Sequence, residues 1–279
     1  MKAVVKTILN GAAKCAIELV RTGDAPADFG SRIGGAPAAP LDFEWPTYTD
    51  EDGVTRPLAF MAQISLAEAA AFDWDDLLPK AGILSFFYEM ESQPWGIFPS
   101  DKGSARVFLF EDEAGLAVRE APSGCAVLPG SAVAPRPRLS LPAQEDIDPD
   151  FSVDADEYDE ACMELGFDVE KEEGITKLLG WPDLIQGPMR GDCERIARGY
   201  SCGDPEDYAS TPEEEAKEIA AHAEDWMLLF QMASAFDGEG FPDEAGPMFG
   251  DCGNIYYWIR RGDLERRDLG GVWLMLQCG

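Results

Sequence analysis

The sequence predicts an α+β fold made of two divergent copies of one unit, with mixed or antiparallel strands, helices in the connections and an approximate twofold between the copies. Three observations predict it. Ser31-Arg32-Ile33-Gly34-Gly35-Ala36-Pro37 recurs as Thr176-Lys177-Leu178-Leu179-Gly180-Trp181-Pro182, with hydroxyl, base, aliphatic, Gly and Pro in the same order. Leu58–Ile64 and Trp226–Met232 are apolar runs that each carry one glutamine, Gln63 and Gln231. Gly82–Tyr88 and Val107–Phe110 recur as Gly253–Ile259 and Val272–Met275. The later blocks are short, β-branched or aromatic and bounded by Gly or Pro, the pattern of buried strands.

Along the chain, residues 1–30 read as an N-terminal amphipathic helix, because Val5, Ile8, Ala12, Cys15 and Leu19 share one helical face. A cleaved leader does not fit, since Lys6, Lys14 and Glu18 interrupt the apolar stretch. Repeat one spans 31–120. Its helix is expected to start at the capping box Ser65-Leu66-Ala67-Glu68 and to run to near Pro79. Residues 121–175 read as a linker: Pro122, Pro129, Pro135, Pro137 and Pro142 argue against regular structure up to 142. An acidic helix follows over about 155–165, stopped by Gly166. Repeat two spans 176–279, with a helix entered at Thr211-Pro212-Glu213-Glu214. The repeats are expected to pack as one globular unit, with the crevice between them as the default site.

Composition narrows the function. The 279 residues hold 53 acidic and 22 basic side chains, a formal net charge of −31. Such a chain repels phosphate backbones and anionic lipid surfaces, so neither nucleic acid nor a membrane is an expected partner. Residues 145–173 and 204–225 concentrate the acidity. The plain reading of those stretches is solvated, solubilising faces; the sharper one is a surface for a basic protein or peptide. The cysteines, at 15, 125, 162, 193, 202, 252 and 278, are odd in number and lack a C-x-x-C pair. That argues against a disulfide framework or zinc ribbon and for a reducing, cytoplasmic location. No cofactor is expected.

His222 is the sole histidine, so triad, His-metal and His general-base chemistry would all depend on one residue of an acidic helix. Asp146-x-Asp148-x-Asp150-x-Ser152-x-Asp154-x-x-Glu157 spaces oxygen ligands as a calcium loop does. Against it, Phe151 stands where the sharp turn wants Gly, Pro149 stiffens the loop, and the Pro-rich run upstream cannot supply an entering helix. Gln63 and Gln231 need partners inside apolar strands, because an unsatisfied buried amide costs about 1–3 kcal/mol. Each either bonds the backbone of its own Gly-x-Pro loop or faces a cleft with Asp251, Trp181 and Gln186 as companions. Asp251 and Cys252 sit at a tight turn, where Asp folds back on its own backbone. Trp45, Trp95 and Trp181 put aromatic rings in loops, where grooves and core edges both want them.

At these residues the chain resembles the YwqG-like family, a bacterial cytoplasmic domain of unknown function. The carriers are Gly35-x-Pro37, Pro57–Ile64 and Leu78-Pro79-Lys80-Ala81-Gly82 leading into Phe86-Phe87. In the second half they are Gly180-Trp181-Pro182 with Gln186, Leu229-Phe230-Gln231, Met248-x-Gly250-Asp251-x-Gly253 and Val272–Cys278. The resemblance covers about residues 30–279. It implies an α+β fold with an internal duplication, and it implies no reaction. The leading expectation is a non-catalytic module that binds a basic protein or peptide. The alternatives are an enzyme or small-ligand binder using the inter-repeat cleft, and a calcium-responsive protein.

Overall fold

The computed structural model describes residues 2–147, 153–167, 175–235 and 246–279. Helix α1 (Lys2–Ala12) leads into strand β1 (Lys14–Arg21). The next segments are β2 (Arg32–Ile33), β3 (Ala38–Pro40), β4 (Thr47–Thr49), β5 (Thr55–Pro57) and β6 (Ala59–Ser65). Then come α2 (Leu66–Ala69), β7 (Ile83–Tyr88), β8 (Ala105–Phe110), β9 (Leu116–Val118) and β10 (Ser131–Ser140). Helices α3 (Gln144–Ile147) and α4 (Ala155–Glu164) precede β11 (Lys177–Leu178), α5 (Arg190–Ala197), α6 (Pro205–Ala209) and α7 (Glu213–His222). Strands β12 (Trp226–Ala233) and β13 (Asn254–Arg260), helix α8 (Arg261–Glu265) and β14 (Trp273–Gln277) complete the chain. The fold is therefore α+β, with eight α-helices among the described residues.

Ten strands form one sheet in the order β14-β13-β12-β11-β1-β10-β2-β6-β7-β8, and every described pairing is antiparallel. The sheet curls until its two arms face each other, a nearly closed barrel. Phe86 of β7 lies on Phe230 of β12 with ring centroids 4.3 Å apart, and the Tyr257 hydroxyl of β13 donates to the Phe87 carbonyl at 3.2 Å. Ile17, Leu84, Tyr88, Met232, Ile255 and Leu276 fill the same interior. A barrel largely removes exposed strand edges, and here the β14 edge is covered too. The β7–β8 connection lies along β14, where the Leu276 amide donates to the Trp95 carbonyl at 3.0 Å and the Trp273 indole to the Gly96 carbonyl at 2.8 Å.

Three sequence expectations change. The N-terminal helix stops at Ala12, and Lys14–Arg21 is a central strand that pairs with β10 over eight residues and also with β11. Cys15 and Leu19 fit a helical face, but the pairing available on both sides outweighs local periodicity. The 121–142 segment is not all linker, since β10 runs through Pro135 and Pro137. Both prolines have the same parity and sit opposite Leu19 and Ile17, while β2 pairs only with Ser131 and Ala132. Their missing N–H groups therefore fall on an unpaired edge, where proline costs no ladder bond. Finally, α2 is a single turn, and Glu68 closes no box: its carboxylate accepts the Ser31 amide at 3.0 Å. At Thr211, α7 begins after Pro212 without a side-chain cap. Helix α4 lies where the acidic helix is expected, with Gly166 after it at φ +87°.

Closure of the seam depends on Gly96. It has φ +76°, and a Cβ there would stand 1.8 Å from the Leu274 carbonyl oxygen. Gly96→Ala is expected to destabilise the protein by about 3 kcal/mol or more in urea unfolding. Gly124→Ala, at φ +82° with nothing within 4 Å, is expected to lose only the ~1 kcal/mol of left-handed backbone strain.

Candidate functional site

The two strand glutamines are fully engaged. Gln63 accepts the Ala38 amide at 2.7 Å and donates to the Asp28 and Gly30 carbonyls at 3.2 and 3.0 Å. Gln231 accepts the Asp183 amide at 2.9 Å and donates to the Ile175 carbonyl at 3.0 Å and to Asp183 Oδ2 at 2.6 Å. Each amide ties the residue after its loop proline to the sheet. The two amides bond different loops, and the interior between the arms is packed with Phe86, Phe230 and Tyr257 rather than open.

Around Gln231 the polar network extends further. Buried Lys177 bonds Asp183 Oδ1, and the Tyr256 hydroxyl donates to the Asp183 carbonyl at 2.5 Å. Downstream, Gln277 accepts the Ile185 and Gln186 amides at 3.0 and 3.1 Å and donates to the Gly187 carbonyl at 2.8 Å. Segment 183–187 is thereby fixed by two strand glutamines, which is what a binding wall requires.

Beyond that wall lies a cavity of about 300 Å³, lined by Trp95, Ile97, Gln186–Met189, Asp192, Cys202, Gly203 and Met275–Gln277. It sits at the seam where the β7–β8 connection meets β14 and the start of α5. The Cys202 amide bonds the Ile97 carbonyl at 3.0 Å, so both sides of the seam contribute to one wall. Its floor is apolar: Met189, Cys193, Ile196, Cys202 and Met275 share a cluster with Trp226 and Trp258. Asp192 is the carboxylate of the lining. The Tyr208 hydroxyl donates to it at 2.7 Å, and burial holds its carboxyl above the usual range against the opposing pull of Tyr208 and Arg195. Burial also pushes the Cys202 thiol up to about 12, so it is no nucleophile at neutral pH.

Of the residues singled out in the sequence, Gln186 lines this cavity, and its amide donates to the Cys278 carbonyl at 3.0 Å. Gln231 holds the wall from behind. Trp95 is on the lining. Gln63 belongs to the other arm, and Asp251 is exposed at a turn where its backbone carbonyl accepts the Gly279 amide at 3.1 Å. Exposed Cys252 is beside it at φ +59°. His222 pairs with Asp225 at 2.9 Å on the solvent side of α7. Asp192, Ile97 and Cys202 join the site without a sequence signal, because none lies in a repeated block, and Met275 is marked in the sequence only as part of a strand block.

Trp181 is half of a separate cluster. Its indole donates to the Ala12 carbonyl at 2.7 Å, Lys14 Nζ lies 3.5 Å from its ring centroid, and the Arg190 guanidinium lies 5.2 Å from the same ring. Buried Asp146 approaches Arg190 Nε at 3.6 Å. Asp154 caps α4, Glu157 lies in its first turn, and Asp148 and Asp150 lie outside the described residues. Among the described residues, no group of three or more His, Cys, Asp or Glu is placed to hold a metal ion. No described helix is long and apolar enough to cross a membrane.

A family model described as a domain of unknown function (DUF1963) matches residues 31–278. The chain belongs to that family. No curated protein matches it.

Two predictions follow from these contacts. Gln231→Leu leaves the Asp183 amide and the Ile175 carbonyl unpaired. It is expected to cost about 3 kcal/mol in urea unfolding and to speed hydrogen exchange at Asp183. Lys14 is pushed down to about 8 by burial and then by Arg190 and Arg261, against Asp146 and Asp75. A lysine depressed on folding binds its proton less well in the native state, so stability rises with pH from about 8 to the ordinary value of 10.5. Lys14→Met is thus expected to gain about 1 kcal/mol at neutral pH, after allowance for the lost indole contact. That gain should vanish by pH 10.5 in the same unfolding assay.

Proposed function

We propose that this member of the DUF1963 family is a non-catalytic module that binds a basic peptide or protein segment at the seam cavity. One observation carries the reading. Exposed apolar side chains gather around the cavity mouth: Trp95 and Phe98 on one side, Ile185 next to Gln186, and Tyr208 over Asp192. Met248 joins them, its carbonyl bonded by Gln93 at 2.9 Å in the loop that precedes Trp95. An apolar rim around a cavity marks an interaction site, and the −31 net charge selects a basic partner over an acidic one.

The same cavity serves the alternative of a small-ligand binder, since its volume stands at the lower end of the ~300–1,000 Å³ of ligand pockets. For the calcium alternative, the Asp146 carboxylate faces Arg190 rather than a further oxygen. A cytoplasmic location is supported by the seven unpaired cysteines.

The duplication belongs to this reading as well. Several pairs of contacts support it. Ser31 Oγ accepts the Ser65 amide as Thr176 Oγ1 accepts that of Ala233, each two residues past the glutamine. The Gly34 amide bonds Met61 and the Leu179 amide bonds Leu229, both at strand bulges and both with positive φ at the donor. By the strand registers, Val107 corresponds to Leu274 rather than Val272, two residues from the alignment by sequence blocks. The YwqG-like resemblance is a finer form of the family membership, resting on the motif residues alone.

A peptide array pairing aromatic or aliphatic residues with Lys or Arg is expected to be captured, with affinity falling as salt rises. Phe98→Ser should weaken capture at least about tenfold. Equal capture of acidic peptides, or no effect of Phe98→Ser, would count against the reading.

A further inference from the structure

The lining of the seam cavity offers acceptors and one charge, the Asp192 carboxylate, beside its apolar surface. Each of its side-chain amide nitrogens makes one bond within the fold, Gln277 to the Gly187 carbonyl and Gln186 to the Cys278 carbonyl. Both Gln277 atoms are used, because its oxygen already accepts two amides. Two acceptors are left over. Gln186 Oε1 has no bond among the described residues, and the Asp192 carboxylate receives only the Tyr208 hydroxyl, at 2.7 Å. The indole N–H of Trp95 makes no bond among the described residues, and the residue is exposed.

Charge points the same way. Around Cys202 on the cavity wall, Asp192, Asp207 and Asp101 act in one sense and Arg195 in the other. Arg195 is itself buried and committed, with Nε on the Ser201 carbonyl at 2.5 Å, Nη2 on the Asp207 carbonyl and its guanidinium 4.6 Å from the Tyr208 ring. It pulls on Asp192 from that fixed place and is not part of the lining. The remaining walls, Ile97, Pro188, Met189, Met275 and Leu276, are apolar. A lining of spare acceptors, a carboxylate, an aromatic ring and apolar walls is complementary to a cation on a methylene stem.

We infer that the cavity takes the side chain of a lysine or arginine of the bound segment, with Asp192 as its counter-ion and Gln186 Oε1 as a second acceptor. This rests on the peptide-binding reading and adds to it which part of the peptide enters. The apolar rim then holds the flanking residues, while the cavity selects the cationic head. A neutral side chain of the same length would fill the walls and leave Asp192 and Gln186 without the donors they can accept.

The test uses the full-length protein labelled with 15N and two small probes, N-acetyl-lysine methylamide and its neutral isostere N-acetyl-norleucine methylamide. The lysine probe is expected to shift the Trp95 indole and Asp192 amide resonances and to bind at least fivefold more tightly than the norleucine probe. Asp192→Asn, a near-isosteric change, should erase that preference while leaving the norleucine shifts in place; Gln186→Ala should reduce it in part. Equal affinity for the two probes would overturn the inference, as would a lysine preference that survives Asp192→Asn. The two readings can fail separately. Peptide capture with no cationic preference at Asp192 sinks the cation and keeps the peptide site. Lysine-probe binding without any peptide capture keeps the cation pocket and sinks the peptide site.

Discussion

A primary amide buried away from water has to be bonded by the chain, and in this protein that requirement organises both arms of the sheet. Gln63 and Gln231 lie fully buried on central strands, and each reaches the backbone immediately after a loop proline. The loop cannot leave the sheet without stranding an amide at about 1–3 kcal/mol. The second arm adds an ion pair between buried Lys177 and partly buried Asp183, so its loop is held by charge as well. Removing one partner of such a pair costs more than the pair itself contributes, which makes the node unforgiving.

That rigidity is what gives the cavity a wall. Segment 183–187 is pinned on one side by Gln231 and on the other by Gln277, and the β7–β8 connection meets β14 across from it. The outer face of β7 and β8 is filled instead. Phe43 packs there against Phe87, Phe108 and Phe110 at centroid distances of 6.0, 5.1 and 5.8 Å, with Trp45 beside it. At the seam cavity, β14 presents Met275 and Gln277, whereas β8 presents Phe108 and Phe110 to Phe43. A flexible thioether and an amide leave room that three packed aromatic rings do not.

Acidity and apolar surface work together at the seam. Helices α6 and α7 carry much of the exposed acidity of the second half, and the apolar rim lies beside α6 at Tyr208. A strongly charged surface steers an oppositely charged segment from a distance, but screening within about 8–10 Å at physiological salt leaves the holding to close contacts. In the proposed reading the apolar rim and Asp192 supply those contacts.

How much of this is legible in the sequence depends on range. The strands over 59–65, 83–88, 226–233 and 254–260 are visible because buried strands are short apolar runs, and the glutamines stand out because they break those runs. Loop residues Trp95 and Gln186 are visible for the same local reason. What stays hidden is set by partners far away in the chain. Lys14–Arg21 has a helical face and is nevertheless a strand, because β10 and β11 offer it ladders on both sides. Pro135 and Pro137 forbid a central strand unless one edge is open, and only the brevity of β2 opens it. Sequence by itself determined the α+β class, the strand blocks and the need of each buried glutamine for a partner, since these follow from local apolarity and hydrogen-bond capacity. Tertiary structure alone decided that the arms close on a packed interior and that a cavity forms at their seam. Closure is a matter of which distant strands meet, and no local pattern encodes it.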